Sequence, residues 1–404
     1  MPDRIVATPF TELDLPEIDL YAPAEEIVAA SGGAWLARAG RSPVVCGHEE
    51  ARELLRDRRF HHLLRHLDEV RASEDPALKR RPGSLLSAEG EEHQRLRRLC
   101  LPAFKQSTVE ALRPWMAATV REHLARVAPT GRAELVADLC EPFPVQTIAR
   151  ILGAPERDWP RFARWATDLL AIFAPDLDDV LPALKASQAE MTAYVEELVA
   201  RRRRDPADDL LTKLIEAEEA GDRLTTEELV TLAEAILTGG SDTTRNQLAA
   251  CVHLLLRHDR WSEVADDPSL VPAAVEESLR LLGTVRQTAR VAMEDVEHRG
   301  VRFPQGTVVV FVLAAANLDR RAFPRGAAYA LEAQPAPHVS FGVGIHHCLG
   351  AWLARAELEE ALRELVRAFP DLRADGEPTW RASRSSFVGP ATLPVAFAPR
   401  GAGA

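Results

Sequence analysis

The sequence has little cysteine and no cysteine pattern. Its five cysteines, Cys46, Cys100, Cys140, Cys251 and Cys348, are widely scattered, with no CxxC pair and no CxxCH. That excludes a disulfide scaffold and a zinc ribbon and fits a reducing compartment. No apolar run approaches the ~18 residues that a membrane span needs. The first twenty residues carry several acids and no apolar h-region, so no signal or transit peptide is expected and a cytoplasmic location is. Positive charge is also lacking. The 404 residues carry a net charge of −12, which leaves no global basic field for nucleic acid or an anionic membrane surface. Internal repeats and low-complexity linkers are absent. Hydrophobic content of 46% and charged content of 27% are those of an ordinary globular chain.

What is present is mostly helical periodicity. Residues 33–46 read as a hairpin, 48–57 as a helix and 61–90 as a long polar loop. From about 90 to 282 the pattern is helical. Ser107 and Glu110 have the spacing of a capping box opening a segment to about 127, and further helices fit 142–152, 159–173, 180–204 and 208–219. Thr225 and Glu228 form a second such box before a pattern that runs to about His258, interrupted by Gly239 and Gly240. At ~1.5 Å per residue this helix would span about 50 Å. A further helix fits 271–282. Residues 286–313 switch to a period of two, with turn signals at 299–300 and 304–306. Residues 314–350 are irregular, a helix fits 351–369, and strands and turns follow to about 400. No boundary convincingly splits the chain, and a single domain over 1–404 is expected.

The chemistry concentrates in 341-FGVGIHHCLG-350. Cys348 lies just ahead of a helix, where unpaired N–H groups and the positive dipole end favour a thiolate. Gly342, Gly344 and Gly350 allow tight turns and close approach. Phe341 is placed to pack near the sulfur. A lone thiolate does not suit structural zinc, whereas haem iron is commonly held by one cysteine. A buried structural cysteine in a glycine-rich turn, or a partial metal site of His346, His347 and Cys348, remain open from these residues alone.

This stretch resembles the haem-binding signature of cytochrome P450 enzymes, F-x-x-G-x-[H/R]-x-C-x-G, with every fixed position present. The resemblance implies Cys348 as the iron ligand and His346 at a position that bonds a haem propionate. Three other motifs occur in the order the family has them. In 239-GGSDTTRNQ-247 two glycines interrupt a helix, which costs about 1 kcal/mol each relative to alanine. The segment is similar to the family's oxygen-binding motif, which implies Asp242 and Thr243 as the acid and alcohol that deliver protons, with Gly239 and Gly240 leaving room for O2. Glu277 and Arg280 match E-x-x-R, a buried structural pair in the family and a surface ion pair in most other settings. The stretch 92-EHQRLRRL-99 is similar to H-x-x-x-R, implying His93 and Arg97 as propionate ligands, and Arg290 sits where another propionate arginine is normal. One departure is visible: the arginine that usually completes the E-x-x-R network falls at Ala333, with Arg320, Arg321 and Arg325 off register.

The resemblance covers essentially the whole chain. It implies a mostly α fold with minor β, the haem lying between a long central helix and the helix after the Cys loop. The cofactor is haem b (iron protoporphyrin IX) with Cys348 as axial thiolate. The activity is a monooxygenase that hydroxylates or epoxidises a small organic substrate, a natural-product intermediate being expected. The alternative is an oxidase that couples, desaturates or cyclises without inserting oxygen. No flavin or iron–sulfur module is encoded, so a separate ferredoxin and ferredoxin reductase are expected as electron donors to O2. Arg95, Arg97, Arg98, Lys105 and Arg355 are candidates for a basic docking patch. Glu234, Thr238 and Arg286 are candidates for polar groups in a substrate pocket that residues such as Phe173 and Phe387 line.

Overall fold

The computed structural model describes residues 8–400 except 175, 220–223, 333 and 382–385. Helix accounts for 57% of the residues with a small sheet fraction, the mostly α composition expected from the sequence. The chain gathers into two compact units. The first comprises 1–80, 285–328 and 333–348. The second comprises 81–284, 329–332 and 349–404.

The first unit is built on a five-stranded sheet. Its strands are β1 (Leu36–Ala39), β2 (Ser42–Val45), β3 (Phe60–His62), β4 (Thr288–Ala292) and β5 (Val308–Phe311), in the order β1-β2-β5-β4-β3. Only the β2–β5 pairing is parallel. The expected hairpin is therefore present. Helix α1 (His48–Leu54) buries Ala51 and Leu54 among Leu36, Val45, Phe60, Phe303 and Phe311. Its Glu50 is fully buried and is held by Arg299 and Arg321. The segment 61–90 is not simply a loop. It closes the sheet edge with β3 and carries a short helix at Leu67–Arg71. The β-branched and aromatic content of a strand is too small here to be read through the histidines.

The second unit holds the main helices: α2 (Gly90–Phe104), α3 (Gln106–Val127), α4 (Pro142–Leu152), α5 (Trp159–Leu170), α6 (Leu177–Arg204), α7 (Thr226–Arg257), α8 (Val271–Leu281) and α9 (Ala351–Ala368). The Ser107 capping box does not form. Lys105 is extended between α2 and α3, so the helix starts at Gln106 and Ser107 is already inside it. The second box does form: Thr225 accepts from the Glu228 N–H at 3.1 Å, and the Glu228 carboxylate accepts from the Thr225 N–H at 2.9 Å. Helix α7 then runs through Gly239 and Gly240 without a break for 32 residues. It packs on α4, α5, α6, α8 and α9. That neighbourhood offsets the helix-propensity cost of the glycines, because most of the helix between Glu228 and Leu255 is buried.

Glu277 and Arg280 on α8 are 2% and 1% exposed and share two hydrogen bonds of 2.6 and 2.8 Å. Ala333 lies outside the described residues. The Ala330 N–H donates to Glu277 Oε1 at 3.0 Å, so backbone meets the carboxylate near where the family places an arginine. Arg321 is engaged elsewhere, with Glu50 and Asp319. A buried pair broken on one side strands a charge and costs about 3–5 kcal/mol, while a half-exposed pair is worth about 0–1 kcal/mol. Glu277→Ala is therefore expected to lower unfolding stability far more than Arg355→Ala, which removes a half-exposed pair with Glu276. Denaturant titration checks this, and equal losses would show that the E-x-x-R pair behaves as a surface bridge.

Candidate functional site

In the first unit the Cys loop is shaped by two left-handed glycines, Gly342 at φ 68° and Gly344 at φ 79°. The two have different reasons. A Cβ on Gly344 would meet the Leu55 carbonyl oxygen at 2.5 Å, so this glycine lets the loop pass close to the end of α1. Nothing but the His346 carbonyl lies within 4 Å of a Cβ on Gly342. The Cys348 N–H donates to the Phe341 carbonyl at 2.9 Å, closing the loop on itself. Phe341 packs with tilted ring planes against His338 and His347.

Cys348 is the one exposed cysteine of the five. The other four are buried. Burial pushes the thiols of Cys46, Cys100 and Cys251 up to about 12, and that of Cys140 well above the usual value. Buried thiols of this kind are unreactive, which leaves Cys348 as the accessible one. Among the described residues no group of three His, Cys, Asp or Glu side chains is arranged to hold an ion. An accessible thiol outside any such group fits iron that arrives with four ligands of its own, as in a porphyrin. It does not fit a protein-built zinc site or the His346–His347–Cys348 alternative.

Strand pairing brings further donors into this unit. His62 on β3 faces Arg290 on β4 in register, and the His62 and His346 rings lie 5.4 Å apart. Arg290 is 4% exposed and donates to Thr288 Oγ1 at 2.8 Å and the Ala289 carbonyl at 2.9 Å. Burial, with Arg290 and His346 nearby, lowers the His62 imidazole well below its usual range. Arg290 and His346 were expected together. His62 was not, because it sits in a stretch that reads as loop. The group suits an anionic substituent such as a carboxylate.

In the second unit His93 is buried and Arg97 half-buried, one turn apart on α2 as the spacing predicts. Gly350 is the N-cap of α9, and a Cβ there would meet nothing within 4 Å. On α7 the two glycines part company. A Cβ on Gly239 would meet nothing within 4 Å, which agrees with open space beside the helix. A Cβ on Gly240 would strike Ile148 of α4 at 2.6 Å. Gly240 therefore serves helix packing rather than room for O2. Thr243 Oγ1 donates to the Gly239 carbonyl at 2.7 Å, the bond back to the preceding turn expected of a mid-helix threonine.

Asp242 is 3% exposed. Its carboxylate accepts from Arg381 Nη1 at 2.6 Å, Arg245 Nη1 at 3.2 Å, Asn246 Nδ2 at 3.3 Å and Thr167 Oγ1 at 3.4 Å. Burial pushes its pKa up from the ordinary carboxylate value. Arg245 and the bonds from Thr167 and Asn246 pull the other way. Such a carboxyl can hold and release a proton, the property a relay needs. Arg381 and Thr167 had no signal in the sequence, since they reach Asp242 across 139 and 75 residues.

Several expected roles do not survive the geometry. Glu234 is 3% exposed and bonds Arg81, Gln188 and Thr192 at 2.5–3.0 Å, so it is a buried junction rather than an open pocket acid. Thr238 turns its hydroxyl to Met191 Sδ at 4.0 Å. Arg286 donates to the carbonyls of Tyr21 and Ala22. Of the candidate docking residues, Arg95 pairs with Glu228 and Arg355 with Glu276, so neither is a free cation, while Arg98 and Lys105 are exposed. Phe173 and Phe387 do meet, edge to face at 5.4 Å.

The sequence model of a family described as Cytochrome P450 matches residues 41–265 and 264–388. The nocardicin C N-oxygenase of Nocardia uniformis subsp. tsuyamanensis is 38% identical over 365 residues, 88% of this chain and 89% of that protein. The mycinamicin IV hydroxylase/epoxidase of Micromonospora griseorubida is 39% identical over 321 residues, 78% of this chain and 80% of that protein. Among solved structures CalO2 superposes with a TM-score of 0.87 at 30% identity, covering 96% of this chain and 100% of its own.

Proposed function

This chain belongs to the cytochrome P450 family and is a monooxygenase, and from that premise we propose which residues perform the reaction and what they act on. Both compact units are read as parts of one catalytic domain, since the family match runs through both. The family's cofactor is haem with a cysteine thiolate. Haem b held in this way supplies iron whose thiolate ligand favours O–O cleavage. Cys348 would hold the iron. His346, Arg290, His93 and Arg97 would bind the propionates, with His62 added on the strength of its pairing with Arg290. Phe341, Gly342 and Gly350 would shape the Cys loop around the group.

The observation that carries the mechanism is the state of α7. Thr243 bonds the Gly239 carbonyl beside open space, and the neighbouring Asp242 carboxyl is buried with a raised pKa. Asp242 passes protons and Thr243 positions them at the oxygen being reduced, which the chemistry requires in stoichiometric amounts. Gly239 keeps that face of the helix clear.

The relatives support a natural-product intermediate as substrate, because the two named above act on nocardicin C and mycinamicin IV. A ferredoxin with its reductase supplies electrons, docking on a surface that includes Arg98 and Lys105. No described helix is long and apolar enough to cross a membrane, and the cytoplasm is the proposed location. The test begins with the reduced-CO spectrum and with binding spectra for a panel headed by those two compounds. Turnover of a binder under isotopically labelled O2 is expected to place one labelled atom in the product. A product without label would replace insertion by coupling or desaturation, and a panel without any binder would overturn the substrate class.

A further inference from the structure

Asp242 is shielded from bulk water yet has to regain a proton after each one it gives. A surface cleft of about 340 Å³ lies at the α5 end of its hydrogen-bond network, lined by Glu141, Trp159, Ala163, Arg164, Thr167 and Asp168. Two side chains join the wall of this cleft to Asp242. Thr167 is exposed on α5 and donates to Asp242 Oδ1 at 3.4 Å. Arg245 reaches Oδ1 at 3.2 Å and has its Nε 3.7 Å from Glu141 Oε1.

We propose that this cleft is the entry route for protons to Asp242, and that Thr167 is the positioning residue that connects it to solvent. The proposal rests on the assignment of Asp242 as proton donor. The step moves no electrons. The Thr167 hydroxyl gives its proton to Asp242 Oδ1 and takes one from a water in the cleft, so one O–H bond breaks and one forms on the threonine. The O–H bond gained by Asp242 is matched by the one lost from that water, and the water is made whole by a proton passed along the chain from bulk solvent. The cleft is large enough for a chain of waters, and Glu141, Arg164 and Asp168 give its wall charged groups that such waters can bond. Arg245 and Arg381 fix the carboxylate orientation, Arg245 from the acid's own helix and Arg381 from the segment after Trp380. Arginine does not titrate in the working range and cannot take Thr167's part.

Proton exchange at Asp242 is measurable without turnover. The infrared band of the protonated Asp242 carboxyl, identified by its loss in Asp242→Asn, is followed after rapid mixing of the haem-loaded protein into D2O at acid pH. Thr167→Val is expected to slow the exchange at least about tenfold, and Thr167→Ser to restore it. Ala163→Trp, which fills the cleft beside Thr167 and leaves the Thr167 hydroxyl in place, is expected to slow it as well. In O2 consumption driven by a surrogate ferredoxin and reductase, Thr167→Val is expected to raise the solvent isotope effect, with the reduced-CO spectrum unchanged. Exchange in Thr167→Val as fast as in the wild type would overturn the route. The parent assignment fails separately: if Asp242→Asn consumes O2 and partitions it as the wild type does, Asp242 is not the donor, whatever the exchange rates show.

Discussion

Cys348→Ser is expected to reduce monooxygenase turnover to background and to abolish the thiolate-type reduced-CO spectrum. Serine keeps the size and the polarity of the side chain, so the loop closure from the Cys348 N–H to the Phe341 carbonyl is retained and the chain should fold. What is lost is a soft anionic sulfur, which an alkoxide of far higher pKa does not replace. The control lies in the other cysteines. Cys46, Cys100, Cys140 and Cys251 are buried with thiols held neutral, so replacing them one at a time by alanine should leave the spectrum intact. Retention of the thiolate-type spectrum by Cys348→Ser would show that another residue holds the iron.

Asp242→Asn should lower turnover about a hundredfold or more, within the range for loss of a positioned acid, while substrate binding spectra stay near those of the wild type. Asparagine fills the same space and still accepts from Arg245 or Arg381 through its one oxygen, but it carries no proton to give. The pH dependence has a definite sign. Burial raises the Asp242 pKa, so the donor form is present below the raised value and wild-type turnover declines as pH climbs through it. The Asn variant should lack that limb. The stability sign agrees: the folded state binds this proton more tightly than the unfolded state. Its contribution is therefore present below the unfolded value and lost as pH rises through the folded one. A variant within about threefold of wild type, with the same pH limb, would remove Asp242 from the mechanism.

Much of this site was legible because its parts are local. The Thr225–Glu228 box is a contact over three residues, and it forms as read. Cys348, its glycines and the Glu277–Arg280 pair also sit within short windows whose spacing carries their geometry. Ser107 shows the limit of that reasoning: the spacing of a box was present, but α2 and α3 abut, and the start of the helix was set by the extended Lys105. His62 was missed because a three-residue strand has too few positions to show alternation, and its partner lies on β4 far along the chain. Glu234 and Arg286 were misassigned for a related reason. A polar residue on an apolar face reads as a pocket group, and only tertiary structure reveals that Arg81, Gln188 and Thr192, or two backbone carbonyls, already satisfy it. Arg381 and Thr167 belong to the same class of long-range partner.

The crossing of α7 and α4 carries a consequence for how this chain can drift. A methyl group at position 240 would sit 2.6–3.0 Å from three side-chain carbons of Ile148, closer than carbon atoms pack. The two positions therefore share one fixed volume. A descendant with alanine at 240 has to carry a smaller side chain at 148, and a bulkier residue at 148 can arise only while 240 stays glycine. The pair should substitute together through time, as a size exchange between two helices, even though only one of its members belongs to the motif GGSDT.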